Sequence, residues 1–288
     1  MSTFVVADSD PINPPASIPF VEKDAVILRG VTRALLDFSN PETVAQGVAL
    51  PLLTNLKNLV VGGAPAATSG PGGSAFPAVY NGTIRSIGAG DPGSGSTVIL
   101  PSDFNLPETT QRFLSVIWLR VLKAGWPASS LCGVYGVGES NNIQQALWIR
   151  AGADGVISSL QFRMHSRAVA AFLDCIITPG ADLDSIFDGN LHQIGLAFEV
   201  SDGIGTQRIY RDGVLLATAS GATTGVRASA TKGFLFGAPA ASASTGTGKG
   251  SLDTRIGRPQ LHDLTSRPEL EFTDILERDR NAANGYLG

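Results

Sequence analysis

Residues 208–221, RIYRDGVLLATASG, place a two-residue link, Asp212-Gly213, between two runs that are typical of β-strands. A type I′ turn needs positive φ at both central residues, which Asp and Gly tolerate, and its twist matches that of paired strands. The stretch therefore predicts a tight antiparallel hairpin. In the register set by this turn, three pairs of residues face each other across the strands: Arg211 and Val214, Tyr210 and Leu215, and Ile209 and Leu216.

The composition of the chain favours one large domain made of many short strands. It has 288 residues, of which 43% are hydrophobic, so a substantial core can form. The 34 glycines and 17 prolines are numerous beside a charged fraction of only 16%. Frequent turn residues and scarce long amphipathic runs indicate an all-β architecture.

The segment 112–122 is the clearest strand, because both of its alternating faces are largely apolar, as expected in the middle of a sheet. Residues 192–200 alternate in the manner of a half-buried strand. Further strands are predicted at 145–150, 159–165, 168–177 and 253–262. The predicted core includes Ile117, Leu119, Ile194, Leu196 and Phe198.

The two ends of the chain differ from its middle. Residues 1–25 are rich in proline and polar residues, which favours an extended arm in front of a sandwich over residues 26–288. Phe4, Ile18 and Phe20 are candidate anchors by which this arm docks on other subunits. A short helix is predicted at about 273–284, with Thr273 as its N-cap.

Several classes of partner are disfavoured by the sequence. The net charge is −4 and the basic residues are scattered, so nucleic acid is not an expected partner. The first residues lack the features of a secretory signal, and no uninterrupted apolar stretch approaches 18 residues. We therefore expect a protein made in the cytoplasm, without membrane insertion.

No motif predicts a cofactor or a metal ion. GTGKGS at residues 246–251 departs from the phosphate-loop pattern at two positions. The three histidines are isolated along the chain, and His192 is interpreted as a hydrogen-bonded structural residue rather than a base. Cys132 and Cys175 are interpreted as two separate buried thiols, with a disulfide between them as the alternative.

Two groups of residues have both a chemical and a structural interpretation. Glu269, Glu271 and Asp274 have a spacing that also occurs in glycoside hydrolases, but acidic residues are equally expected where a helix begins. We predict that they are not catalytic. Trp126 lies in a loop beside a proline and is a candidate ligand-binding platform, although a residue packed on its own strand is the favoured interpretation.

Three segments, LHQIGLAFEV, QRIYRDGVLLATASG and DTRIGRPQLHDL, together resemble the laminin-G/concanavalin A-like lectin superfamily. The resemblance covers roughly residues 29–271, and the Tyr210-Arg211-Asp212-Gly213 hairpin is its best marker. It implies a two-sheet antiparallel jelly-roll sandwich. Leu191 stands where the family has a tryptophan, while His192 is kept. No calcium-site aspartates match the family.

The segments ALLDFSNPETV and LTSRPELEFTDILERDRNAANGYL resemble virion proteins of tailed bacteriophages. This resemblance implies a non-enzymatic structural protein of a tail, baseplate or capsid decoration, located in the virion. It implies other virion proteins and further copies of the chain as partners, and a host cell-surface glycan as a candidate ligand. The alternatives are a carbohydrate-binding lectin module and a glycoside hydrolase.

Overall fold

The computed structural model describes residues 24–38, 43, 49–50, 55–69, 78–81, 86–88, 97–126, 128–129, 131–138, 143–167, 172–227, 233–237 and 254–283. Within these ranges the chain forms two antiparallel sheets that pack face to face as a jelly-roll sandwich, as the sequence predicted. The candidate anchors Phe4, Ile18 and Phe20 and residues 246–251 lie outside the described residues.

The first sheet has ten strands in the described ranges. Eight follow one another in this spatial order: β15 (Val214–Ala222), β14 (Ile204–Arg211), β13 (Asp188–Ser201), β8 (Arg112–Leu122), β17 (Arg255–Ile256), β6 (Ser86–Gly88), β5 (Ala78–Asn81) and β2 (Ala49–Leu50). The other two are β18 (Gln260–Asp263), which pairs with β8, and β1 (Thr32–Leu35), which pairs with β18.

The second sheet has eight strands in the described ranges. Their spatial order is β12 (Phe172–Ile177), β11 (Ile157–His165), β10 (Gln145–Ala151), β9 (Leu131–Val137), β16 (Gly233–Gly237), β7 (Thr97–Leu100), β4 (Ala66–Ser69) and β3 (Asn55–Leu56). A 3₁₀ turn covers Ser102–Phe104, and two helices, α1 (Ala181–Ile186) and α2 (Phe272–Ala283), accompany the sheets.

The strand β8 lies in the middle of its sheet, with β13 on one side and β17 and β18 on the other. Its bounds are those predicted, and its two faces enter different hydrophobic clusters. Phe113, Ile117 and Leu119 belong to the main core between the sheets, as do Ile194, Leu196 and Phe198 of β13. The predicted core residues are therefore confirmed.

The outer face of the first sheet is covered by α2. Leu114 and Val116 of β8 form a second hydrophobic cluster with Ile275 and Leu276 of the helix. The helix approaches β13 so closely that a β-carbon on Gly195 would come within 2.8 Å of the Leu276 side chain. Burial on both sides explains why β8 is apolar on both of its faces.

The Asp-Gly hairpin is present, with one difference from the predicted register. Asp212 and Gly213 have φ values of 50° and 81°, as a type I′ turn requires. The first two predicted pairs occur, but Ile209 pairs with Ala217 instead of Leu216. The reason is a β-bulge at Leu216, which places one extra residue in β15.

The sequence predicted one strand over 253–262, but the structure has two strands there. Residues 257–259 separate β17 from β18. The Arg258 side chain turns into the interior, and Pro259 has no N–H to donate to a neighbouring strand.

Other bounds differ by a few residues. The predicted strand over 168–177 is described only from Phe172, and α1 was not predicted at all. Helix α2 begins at Phe272, so Thr273 lies in its first turn rather than at the N-cap. Cys132 and Cys175 are two separate buried thiols, as predicted.

Candidate binding surface

Exposed apolar side chains are concentrated on one side of the sandwich, where β12 and β15 end the two sheets. In the described part of the chain, six large hydrophobic residues are exposed, and five of them lie on β12, β14 or β15. These five, which we call the apolar edge, are Phe172, Ile176, Ile204, Val214 and Leu215. The sixth, Val61, lies elsewhere.

The two strands that form this side of the sandwich run alongside each other. At one end, a β-carbon on Gly221 of β15 would meet the side chain of Leu173 of β12. At the other end, Ile176, Leu216 and Ala217 line a single open depression of about 330 Å³. The remaining wall of this depression is formed by residues 177–180 and the first two residues of α1. The side chain that the bulge adds to β15 therefore borders a concave site.

The edge of β15 has few of the features that protect edge strands from pairing. Its sequence, VLLATASGA, contains no charged residue and no proline. Within the described ranges β15 pairs with β14 on one side and has no strand on the other. The bulge at Leu216 twists one end, while Ala217 to Ala222 pair regularly with β14. A long uncharged edge of this kind is able to pair with another extended chain.

Phe172 at the start of β12 is flanked by basic side chains. The guanidinium of Arg163 lies 4.6 Å from the centre of its ring, and the His165 ring lies 4.9 Å from it. Arg163 also donates two hydrogen bonds to Asp174, of 2.8 and 2.9 Å. Burial, followed by the nearby Arg227, lowers the pKa of His165. The result is a partly exposed aromatic ring that contacts a guanidinium and an imidazole of β11.

His192 is held between two carboxylates near the hairpin turn. Its Nδ1 lies 2.7 Å from Asp212 and its Nε2 lies 2.9 Å from Asp188. The hydrogen bond with Asp212 is the main reason that the pKa of His192 is raised, and Asp188 adds to it. Burial would raise the pKa of Asp188, but hydrogen bonds from Asn190 and His192 lower it to about 2. The cluster ties the hairpin turn to the start of β13, as the structural interpretation of His192 predicted.

A buried arginine joins four separate parts of the chain. Arg258, between β17 and β18, donates hydrogen bonds to Asp24, Asp37 and Asp279. Burial would lower the pKa of Arg258, but the three carboxylates outweigh it and raise the pKa. Asp279 of α2 also accepts hydrogen bonds of 2.7 Å from Trp118 and from Gln193. This cluster fixes the first described residue, Asp24, against the sheet.

Trp126, the candidate stacking platform, is only 4% exposed and belongs to the main core. Its indole N–H donates a 2.9 Å hydrogen bond to the carbonyl of Leu122. The exposure on which the binding prediction depended is absent, and the structure agrees with the packed alternative. The physical reason is that the loop folds back, so that the Trp126 amide also bonds to Gly155.

The three acidic residues at the start of α2 do not converge on a cleft. Glu269 is paired with Arg267 on the surface, and its pKa is lowered mainly by that hydrogen bond. Glu271 lies 4.0 Å from Arg112 and is largely exposed, and Asp274 is in the first turn of the helix. Their exposure, ion pairs and place at the start of the helix agree with the helix-start interpretation.

No group of three or more His, Cys, Asp and Glu side chains in the described ranges could hold a metal ion. In that same part of the chain, neither helix combines the length and the apolar character that a transmembrane helix needs.

Sequence comparison does not place the chain in a family. No family model matches it, and no curated protein matches it either.

Solved structures, in contrast, share its fold. The receptor binding domain of botulinum neurotoxin D has a TM-score of 0.53 at 10% identity, over 87% of this chain and 52% of that one. A second structure of the serotype D binding domain has a TM-score of 0.50 at 12% identity, over 83% and 50%. Trypanosoma rangeli sialidase has a TM-score of 0.45 at 13% identity, over 88% and 33%. The chain spans about half the length of the binding domains, and the first two similarities establish the jelly-roll fold.

Proposed function

We propose that this chain is a non-enzymatic structural and adhesive protein that makes protein–protein contacts through the apolar edge. The observation that carries the proposal is the concentration of exposed large hydrophobic residues on β12, β14 and β15. Exposed apolar side chains beside an unpaired strand edge are candidates for contacts with another protein. The ionisable clusters are ion-paired inside the domain, which suits a scaffold better than a catalytic site.

The biological setting of the proposal comes from the sequence. The resemblance of the first strand and of the C-terminal helix to tailed-phage proteins supports a place in a virion, as a tail, baseplate or capsid-decoration subunit. In that setting the apolar edge contacts other virion proteins, the N-terminal arm docks on neighbouring subunits, and the sandwich is displayed toward the host surface.

The test replaces two residues of the apolar edge, Ile176→Ser and Leu215→Ser, in one variant. Both side chains are about half exposed, so the fold is expected to persist. Sedimentation measures either binding to the particle or self-association of the isolated chain. The dissociation constant of that contact is expected to rise about tenfold or more. The matched control is Val61→Ser, which removes an exposed apolar side chain outside the apolar edge and is expected to change nothing. Wild-type association by the double variant would contradict the proposal.

A second candidate function, glycan binding, is favoured by the environment of Phe172. Its ring is 36% exposed and lies beside the guanidinium of Arg163, so it offers an apolar face next to hydrogen-bond donors. A glycan array probed with wild type and with Phe172→Ala tests this function. Binding by wild type that is lost in Phe172→Ala and kept in Val61→Ala supports it. Absence of binding to any glycan rejects it.

A further inference from the structure

The edge of β15 has no partner strand among the described residues, and its chemistry limits the kind of strand that can pair with it. Nine residues of β-strand extend over about 30 Å. The depression beside Leu216 is lined mostly by polar surface and is bordered by Asp182, so the strand edge rather than the depression determines what fits. An uncharged edge suits an uncharged segment made of residues that favour strands.

The chain itself contains such a segment. Residues 3–7, TFVVA, have no charge and no proline, and they are rich in residues that favour strands. Phe4 supplies a bulky side chain near the start of this segment. The rest of the arm is interrupted by Pro11, Pro14, Pro15 and Pro19, which lack the N–H that a paired strand donates.

The position of the first described residue indicates how far this segment reaches. Asp24 is fixed to the buried Arg258 by hydrogen bonds of 2.8 and 3.1 Å. Residues 8–23 lie between this fixed point and the segment. At about 3.1 Å per residue, a proline-rich spacer of that length spans roughly 50 Å. A domain of this size is about 45 Å across, so the spacer is long enough to reach another copy.

We propose that the free edge of β15 accepts residues 3–7 of a neighbouring copy of the chain as an added strand. The inference rests on the proposed assembly function and names its partner. Main-chain hydrogen bonds between the two strands give the contact its strength. The arm of each copy then links it to the next.

The experiment uses single cysteine variants of the full-length chain, Val5→Cys and Thr218→Cys, mixed and then oxidised. Thr218 is exposed on β15, and the two native thiols are buried, so they do not compete. We expect a disulfide-linked dimer that contains one copy of each variant. Because alternate side chains of a strand point to opposite faces, Val6→Cys is used alongside Val5→Cys. Glu277→Cys, exposed on α2, is the control partner and should give no linked dimer.

A second measurement separates the occupants of the edge. Deletion of residues 2–20, or the milder Phe4→Ser, should convert the assembled species to monomer. A peptide of residues 1–10 should then bind the deletion variant and should fail to bind its Thr218→Lys form, because an edge lysine hinders pairing. A third variant carries Val5→Cys and Thr218→Cys in the same chain. If a disulfide forms only within that chain and never between copies, the proposal is wrong.

Three other results also reject the inference. A deletion variant that stays dimeric and links through Thr218→Cys alone would show that two β15 edges pair directly. If deletion of the arm abolishes assembly, but no disulfide forms at β15 and no peptide binds there, the arm is needed for assembly and docks on a surface other than β15. A full-length chain that stays monomeric and gives no disulfide-linked dimer would show that β15 does not accept the arm. The proposed contact through the apolar edge is tested separately, by the variant with Ile176→Ser and Leu215→Ser.

Discussion

The Nε of Arg258 lies 2.9 Å from a carboxylate oxygen of Asp279, and neither side chain has any exposed surface. Asp37 and Asp24 complete the surroundings of the same guanidinium. The pair joins the break between β17 and β18 to α2. Loss of the cation would leave carboxylates in the interior without their main counter-charge, which is strongly unfavourable.

Arg258→Met is therefore expected to lower the free energy of unfolding by about 3–5 kcal/mol, as other broken buried ion pairs do. Urea denaturation followed by circular dichroism measures the change. Arg267→Met, which removes an exposed pair with Glu269, is the control and should leave the urea midpoint nearly unchanged. Equal midpoints for the two variants would show that Arg258 does not neutralise the buried cluster.

The stability of the protein is expected to depend on pH through His192. Because the folded pKa is raised above 6.5, the stabilisation is complete below 6.5 and is lost as the pH rises through the folded pKa. The pKa values of Asp188 and Asp212 are lowered, so their part is present above 3.8 and is lost as the pH falls through the folded values. Urea midpoints of wild type should fall relative to those of His192→Gln as the pH is raised from 6 to 9. If the urea midpoints of wild type and His192→Gln change with pH in parallel, the ion pairs of His192 do not contribute the expected stability.

The hairpin and the central strand could be predicted because both depend on local chemistry. Asp212 and Gly213 determine a turn by their own backbone preferences, and the alternation in β8 follows from burial by the second sheet on one side and α2 on the other. The core face of β13 was predicted for the same reason. Each of these features can be recognised within about a dozen neighbouring residues.

The apolar edge could not be predicted, because it depends on which strands end the two sheets. The sequence of β15 shows a strand but not that its second side is free, and the alternation of β12 does not show that Ile176 faces solvent. The Arg258 cluster joins residues as far as 234 positions apart. The choice between a packed and an exposed Trp126 could not be made from the sequence, because it depends on how its loop folds.

Leu196→Ala is expected to lower the free energy of unfolding by about 2–5 kcal/mol, because Leu196 is fully buried in the main core. Leu215→Ala, which shortens a side chain that is 48% exposed, should have little effect. Thermal and urea unfolding of the two variants provide the comparison. A neutral result for Leu196→Ala would mean that β13 presents its other face to the core.

Replacement of Glu269, Glu271 and Asp274 by their amides is expected to reduce stability slightly and to change no hydrolytic activity. The slight reduction follows from the loss of favourable charge near the start of α2 and near Arg112. Release of reducing sugar from a β-glucan measures the activity. Hydrolysis by wild type that disappears in the triple variant would overturn the non-enzymatic assignment.

Hydrogen–deuterium exchange of β12 and β15, compared between the isolated chain and the assembled particle, tests the central claim most directly. In the isolated chain the free edge of β15 is expected to exchange quickly, since its outward amides have no partner strand among the described residues. Assembly should slow exchange in residues 172–177 and 214–222 and leave the segment around Val61 unchanged. Unchanged exchange on both strands, with protection appearing elsewhere on the domain, would contradict the claim that this edge of the sandwich is the contact surface.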